Sequence, residues 1–384
     1  MVSRSEWQGA KSAYDIYMDE QGIPVVEGWS VRDVRSIGLK PWRRLGGNGA
    51  FIQLYGQEYI TGMYVVEIPP GSALNIEQHM YEEQYYILEG NGTTEVWTPD
   101  GKPQRFGWGR DALFAIPLNA PHRLINNSVE PVLALASTNA PIMMDHFHNP
   151  SFIFDCDFKF TDRYSGAPDH FGVNENFEMK PGQNGRAAGV NWETNIIPSI
   201  RTAPMGFDEY KGGDFHIGRF QMSDNVLVGH YMQWSGGQYM KAHAHGGGAV
   251  LMGLEGKGYT LIWPQQAGIR PYENGNDDQV VRADWTDGTL FSPGSGWYHQ
   301  HCATSPEDIR IVAFRYGTPK YGVGFHRAAS GAAGPRVSIR LGGSLVDFDM
   351  EDPKIRADFK LELAKNGATY KMPADDQLDN MPII

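Results

Sequence analysis

The residues with the clearest capacity for chemistry are His243, His245 and His299. Alternate side chains of a β-strand share a face. His243 and His245 therefore project to one side, and a histidine from a later strand closes a facial set of three neutral nitrogen donors. Such a set suits Fe(II), Mn(II), Ni(II), Cu(II) or Zn(II). His301 lies two residues beyond His299 and should face the same way; it supports a neighbouring ligand, carries protons, or is itself the third ligand. Gln238, Tyr298 and Arg315 are candidate catalytic residues, with Tyr259, Trp263 and Trp297 as further pocket candidates. Aromatic rings with one or two polar groups would suit a planar or phenolic substrate, and Arg315 would clamp a carboxylate. Such rings are more often barrel core.

An isolated His-x-His is more often coincidence than site, but the chain repeats itself around this one. Gly71, His79, Leu88, Glu89, Gly90, Gly92, Thr94 and Trp97 recur 166 residues later as Gly237, His245, Leu254, Glu255, Gly256, Gly258, Thr260 and Trp263. Trp108, Leu113, Phe114 and His122 recur at an offset of 177 as Trp285, Leu290, Phe291 and His299. The longer Gly/Asn/Asp-rich loop from Gln265 to Gln279 accounts for the difference. The domain is duplicated.

Each copy reads as β. Gly62 to Glu67, Gln84 to Leu88 and Pro131 to Ala136 are strand-forming runs bounded by turn residues, as are Val226 to Trp234, Val250 to Leu254 and Ile309 to Phe314. Gly90-Asn91-Gly92 and Gly256-Lys257-Gly258 mark tight turns. The expected organisation is an arm over 1–50, a first barrel over 51–148, a linker over 149–214, a second barrel over 215–318 and a tail over 319–384. The tail holds one helix, Pro353 to Ala364, started by Glu351-Asp352 and stopped near Gly367. His146-Phe147-His148 has no spaced glycine and no counterpart in the repeat, and reads as linker. His170, His216, His230 and His326 read as structural.

The bulk numbers agree. The 46 glycines and 24 prolines in 384 residues favour short strands and turns. A net charge of −12 and no basic stripe argue against a nucleic-acid partner. Two cysteines, Cys156 and Cys302, argue against a disulfide framework. Met1 to Tyr17 lacks the apolar core of a signal peptide, and no run is long enough to span a bilayer, so a cytoplasmic protein with no membrane partner is expected.

Gly71-(x)5-Glu77-x-His79-(x)3-Glu83-(x)6-Gly90, followed by Pro117-(x)4-His122-(x)3-Asn126, resembles the two motifs of the cupin superfamily. The second copy reads Gly237-(x)5-His243-x-His245-(x)3-Ala249-(x)6-Gly256, with His299. The resemblance implies an all-β bicupin: two double-stranded β-helix (jelly-roll) barrels with metal in the barrel mouth, flanked here by the arm and the short C-terminal helix. The first copy has Glu77 where the pattern has its first histidine. Glu77, His79, Glu83 and His122 then form an oxygen-rich set suited to Mn or Fe, or a remnant kept for packing. The second copy has Ala249 where the pattern has glutamate. An all-histidine triad is similar to that of gentisate-type ring-cleaving dioxygenases, which implies Fe(II), O2 and C–C cleavage of a small molecule, hydroxylated aromatic acids being one class. A decarboxylase, isomerase or lyase using Mn, Ni, Cu or Zn is the alternative, and a non-enzymatic binding bicupin ranks below both. Such barrels commonly pair through their outer sheets, so a homo-oligomer is expected.

Overall fold

The computed structural model describes residues 10–57, 59–181, 185–318, 320–323, 335–381 and 383; His326 lies outside them. The described chain forms two compact units. The first takes in Ile37–Gln53 and most of the chain up to Gly172. The second takes in Glu27–Ser36, Leu54–Gln57 and the chain from Val173 onward. Both are jelly-roll barrels of two sheets.

In the first unit one sheet runs Gly47–Leu54, Gly62–Ile68, Val132–Thr138, Glu83–Glu89, Leu113–Ile116 in spatial order, all antiparallel. The facing sheet is His122–Ile125, Gly92–Trp97, Pro103–Trp108. The second unit repeats the scheme. Its large sheet centres on His216–Gln221, Leu227–Trp234, Ile309–Tyr316 and Val250–Glu255. Its small sheet is His243–Ala244, Tyr298–Ala303, Gly258–Trp263, Val281–Trp285. The strands expected from sequence form within two residues of their expected ends.

The repeat is physical down to single bonds. The Trp108 indole N–H donates to Thr94 Oγ1 at 2.8 Å, and the Trp285 indole donates to Thr260 Oγ1 at 3.1 Å. Each indole stacks on the equivalent phenylalanine, Phe114 or Phe291, at centroid distances of 6.3 and 6.2 Å. This explains the paired glycines as well. A Cβ on Gly92 would meet Trp108 at 2.5 Å and the Ile125 carbonyl at 2.3 Å; on Gly258 it would meet Trp285 at 2.5 Å and the Cys302 carbonyl at 2.1 Å.

Several segments are more ordered than their sequences suggest. Within the arm, Ser12 and Asp15 form a reciprocal cap on the helix Ala13–Gln21, and Ser30–Val31 pairs with Leu290–Phe291 in the second unit. The segment between the repeats carries Phe177–Pro181 and Ala187–Glu193, which extend the second unit's large sheet. His146-Phe147-His148 closes a helix, Ala140–Phe147, opened by Pro141 and capped by His148 in the left-handed region. On a helix, residues two apart diverge by about 200°, so this His-x-His makes no common face. Both cysteines are free. No helix of the described residues is long and apolar enough to cross a membrane.

The tail helix is Pro353–Asn366, with the Asp352 carboxylate accepting from Lys354 N at 3.0 Å and Gly367 closing it at φ 65°. Ile355, Phe359 and Leu363 recur at helical spacing and bury against Tyr239, Tyr259, Trp263 and Tyr298 on the outside of the small sheet. Phe359 is fully buried and Leu361 is 61% exposed. Phe359→Ala should cost about 3–5 kcal/mol in urea unfolding. Leu361→Ala should stay within about 0.5 kcal/mol of wild type; equal effects would show that this face carries no packing.

Candidate metal centres

Antiparallel pairing creates the second unit's centre. His243 lies directly opposite His299 in the ladder between His243–Ala244 and Tyr298–Ala303. The short histidine strand is held on its other side by the tail. Val346 N–H donates to the Ala242 carbonyl at 2.8 Å, Leu345 bridges His243, and the buried Lys241 ammonium pairs with Asp347 at 2.9 Å. The donor nitrogens of His243, His245 and His299 all lie within 4.8 Å of one another, and all three residues are buried.

The imidazoles are set up as metal donors. Nδ1 of each lies near a carbonyl oxygen: Lys241 at 3.3 Å, Gly246 at 3.3 Å and Trp297 at 3.2 Å. A carbonyl only accepts, so Nδ1 carries the proton and Nε2 keeps the lone pair. Burial, reinforced by Lys211 at all three and by Arg315 at His245 and His299, pushes His243 and His245 well below the usual histidine range and His299 down to about 3. Three neutral nitrogen donors thus meet the requirement for a first-row divalent ion. Ala249, at the place of Glu83, lines the adjoining cavity, so the group is all-nitrogen.

His301 lies deeper on the same strand face. In the ladder it stands opposite Thr260, as Leu124 stands opposite Thr94 in the first unit. Its Nδ1 is 2.7 Å from Thr260 Oγ1. That hydroxyl accepts the Trp285 indole proton as well, and with a second lone pair and its own proton it can serve either tautomer of His301. His301 is not in the group whose donor atoms converge.

The cavity beside the triad measures about 1180 Å³. His301 and Arg315 line it, as do Lys211, Asp208, His230 and Arg336. The small-sheet wall carries His243, His299 and His301. The opposing wall belongs to the large sheet, where Arg219 stands opposite His230, and Arg315 lies one inward position along on the adjacent strand. Burial, then the charge of Arg315, keeps His230 neutral. His230 carried a sequence signal, since Val228, His230 and Met232 alternate inward on one strand. Lys211, Arg219 and Arg336 carried none, because their contribution depends on loops and on strands outside the repeat.

Tyr298, Tyr259 and Trp263 face away from the cavity. Residues 299 and 301 point inward on their strand, so 298 points out, where its ring stacks on Trp263 at 5.7 Å under the tail helix. Gln238 anchors a loop, its Oε1 accepting from Asp214 N–H at 3.0 Å. Trp297 packs on Trp29 at 5.0 Å.

In the first unit His79, Glu83 and His122 converge within the same 4.8 Å. Glu83 Oε2 is 3.2 Å from His122 Nε2 and 3.4 Å from His79 Nε2, and Oε1 accepts the Tyr64 hydroxyl at 2.6 Å. Burial pushes the Glu83 carboxyl up, but its bonds from His122 and His79 outweigh burial and hold it well below the usual range. Two imidazoles and a carboxylate also fit a divalent ion. Glu77 stands opposite His122 and pairs with Arg44 at 2.7 Å, and it is not in the group whose donor atoms converge. The adjoining space, walled by Tyr14, Tyr17 and Tyr81, is about 10 Å³, room for roughly one water.

Residues 64–138 match the cupin domain model, a span that holds this first cluster. Among solved structures, the oxalate decarboxylase of Bacillus subtilis, studied for its Mn(II) centres, superposes with a TM-score of 0.47 at 13% identity over 76% of this chain and 78% of that one. A mutant of the same enzyme gives 0.48 at 12% identity over 76% and 78%. An oxalate decarboxylase structure concerned with substrate binding mode gives 0.46 at 11% over the same shares.

Metal content tests the second centre directly. In a His79→Ala/His122→Ala background loaded with Mn(II) or Fe(II), atomic absorption should find one ion per chain. His243→Ala, His245→Ala and His299→Ala should each remove it, and His301→Ala should keep it. Loss in a folded His301→Ala variant would move the third ligand to that residue.

Proposed function

We propose that the chain is a metal-dependent enzyme of the cupin kind, with its chemistry in the second unit and a small organic substrate that is decarboxylated, isomerised or cleaved without oxygenation. The observation that carries this reading is the contrast in space. Three converging neutral imidazoles border a cavity of about 1180 Å³, whereas the first cluster adjoins about 10 Å³. Catalytic sites keep an open position beside the metal and room for substrate. Fe(II) or Mn(II) is the ion we favour, and Ni, Cu or Zn would also suit the donors.

A divalent ion held by His243, His245 and His299 would act as a Lewis acid on a substrate carbonyl or carboxylate. The chain's own residues supply the proton chemistry. His301, its Nδ1 held by Thr260, turns Nε2 to the same cavity and can exchange a proton with an oxygen that gains charge. His230, neutral on the opposite wall, is an acceptor or donor within the same cavity. Arg315 orients an acidic substrate group. Proton-carrying groups on both walls favour the non-oxidative class.

Fe(II)-dependent dioxygenation is the second reading, favoured by the carboxylate-free triad with Ala249 in place of glutamate, an arrangement that leaves positions for substrate and O2. The two separate on oxygen dependence. Protein loaded with Mn(II) or Fe(II) and offered a panel of hydroxy, keto and aromatic acids should turn over anaerobically, and His299→Ala should abolish turnover. Stoichiometric O2 uptake with Fe(II) alone would establish the second reading instead. No turnover of any acid under either gas would remove both.

A further inference from the structure

The charge inside the cavity runs against the charge of the whole chain. The protein carries −12, yet the cavity lining presents Lys211, Arg219, Arg315 and Arg336 with one buried carboxylate, Asp208, while Glu175, Glu178 and Glu193 are exposed where they line it. Asp208 is taken: Arg219 donates to it at 3.2 Å and Arg336 also pairs with it. Lys211 is different. Among the described residues its ammonium makes no ion pair; its bond is to the Pro335 carbonyl at 3.4 Å. Around these cations the wall is apolar, with Phe215, Ile217, Met232, Met240 and Leu251.

We infer that Lys211, His230 and Arg315 form a carboxylate subsite facing the triad, and that the substrate is a mid-sized organic acid with an apolar body. This rests on reading the cavity as an active site. A planar guanidinium grips a carboxylate in two parallel bonds, a lysine adds a point charge, and a neutral imidazole adds one N–H. Arg315 and His230 project from adjacent strands of one sheet face, and Lys211 enters from the loop after Gly206–Phe207. Lys211, His230 and Arg315 line the same cavity as His243, His245 and His299. Burial disfavours the charged Lys211; Asp208 opposes that and the guanidiniums of Arg336 and Arg315 add to it, so an anionic ligand group beside Lys211 would favour its charge. The cavity volume leaves room for an apolar chain or ring beyond the acid group.

The test uses chelator-treated full-length protein, so that metal plays no part, with 4-phenylbutyrate and its neutral amide as probes and calorimetry as readout. The acid should bind and the amide should bind at least tenfold more weakly. Lys211→Met and Arg315→Met should each weaken the acid at least tenfold without changing the amide, and Lys211→Arg should restore binding to within a few fold. His243→Ala should lose metal yet keep the acid, which separates this inference from the metal reading. Equal binding of acid and amide, no binding of the acid to wild type, or an unchanged affinity in a folded Lys211→Met variant overturns it.

Discussion

The antiparallel pairing of His243 with His299 is the constraint on which the rest of the second centre depends. It sets two imidazoles side by side, and strand alternation adds His245 to the same face. The strand that bears the pair is only His243–Ala244. It is kept in register by neighbours on both sides: Tyr298–Ala303 on one and the tail, through Leu345, Val346 and the Lys241–Asp347 pair, on the other. The carbonyls of Lys241, Gly246 and Trp297 then choose the tautomer. Backbone geometry thus supplies both position and chemistry, and the tail is part of the wall behind the site.

The two barrels share a frame and differ at their mouths. Thr94 with Trp108 and Thr260 with Trp285 form the same buried bond, so the duplication is conserved where packing is decided. Divergence falls where chemistry would be decided. Glu83 in the first barrel answers two imidazoles and a tyrosine, and aromatic rings close the space around it. In the second, alanine replaces that glutamate and histidine replaces Leu124, which leaves an all-imidazole wall along an open cavity. A buried carboxylate that is fully bonded is stable but occupied; removing it opens a face to a ligand. The charge distribution follows the same division. An acidic chain that sets several cations beside one buried, committed carboxylate in a single cavity spends desolvation energy there, and an anionic ligand is the natural partner for that charge.

Much was legible in the sequence for simple physical reasons. Glycine spacing fixed the turns, since Gly92 and Gly258 stand where a Cβ has no room. Alternation placed His243, His245 and His299 on inward positions, and the caps Asp352 and Gly367 bounded the tail helix. Alternation also held the information that Tyr298 faces out once His299 faces in. His146-Phe147-His148 shows the limit of a spacing rule, because the same letters on a helix make no common face.

The sequence by itself determined which strands repeat and which side chains share a face, because those depend on period and steric size along one stretch of chain. The tertiary structure alone decided what faces the triad. Lys211 comes from a loop, Arg336 from the tail and Arg219 from a strand outside the repeat, and no local pattern links them. It also decided that one mouth is filled and the other open, since that turns on aromatic rings brought together from distant segments. Cavities and fields are properties of surfaces that meet across the fold, whereas a chain read in order shows only the surfaces one at a time.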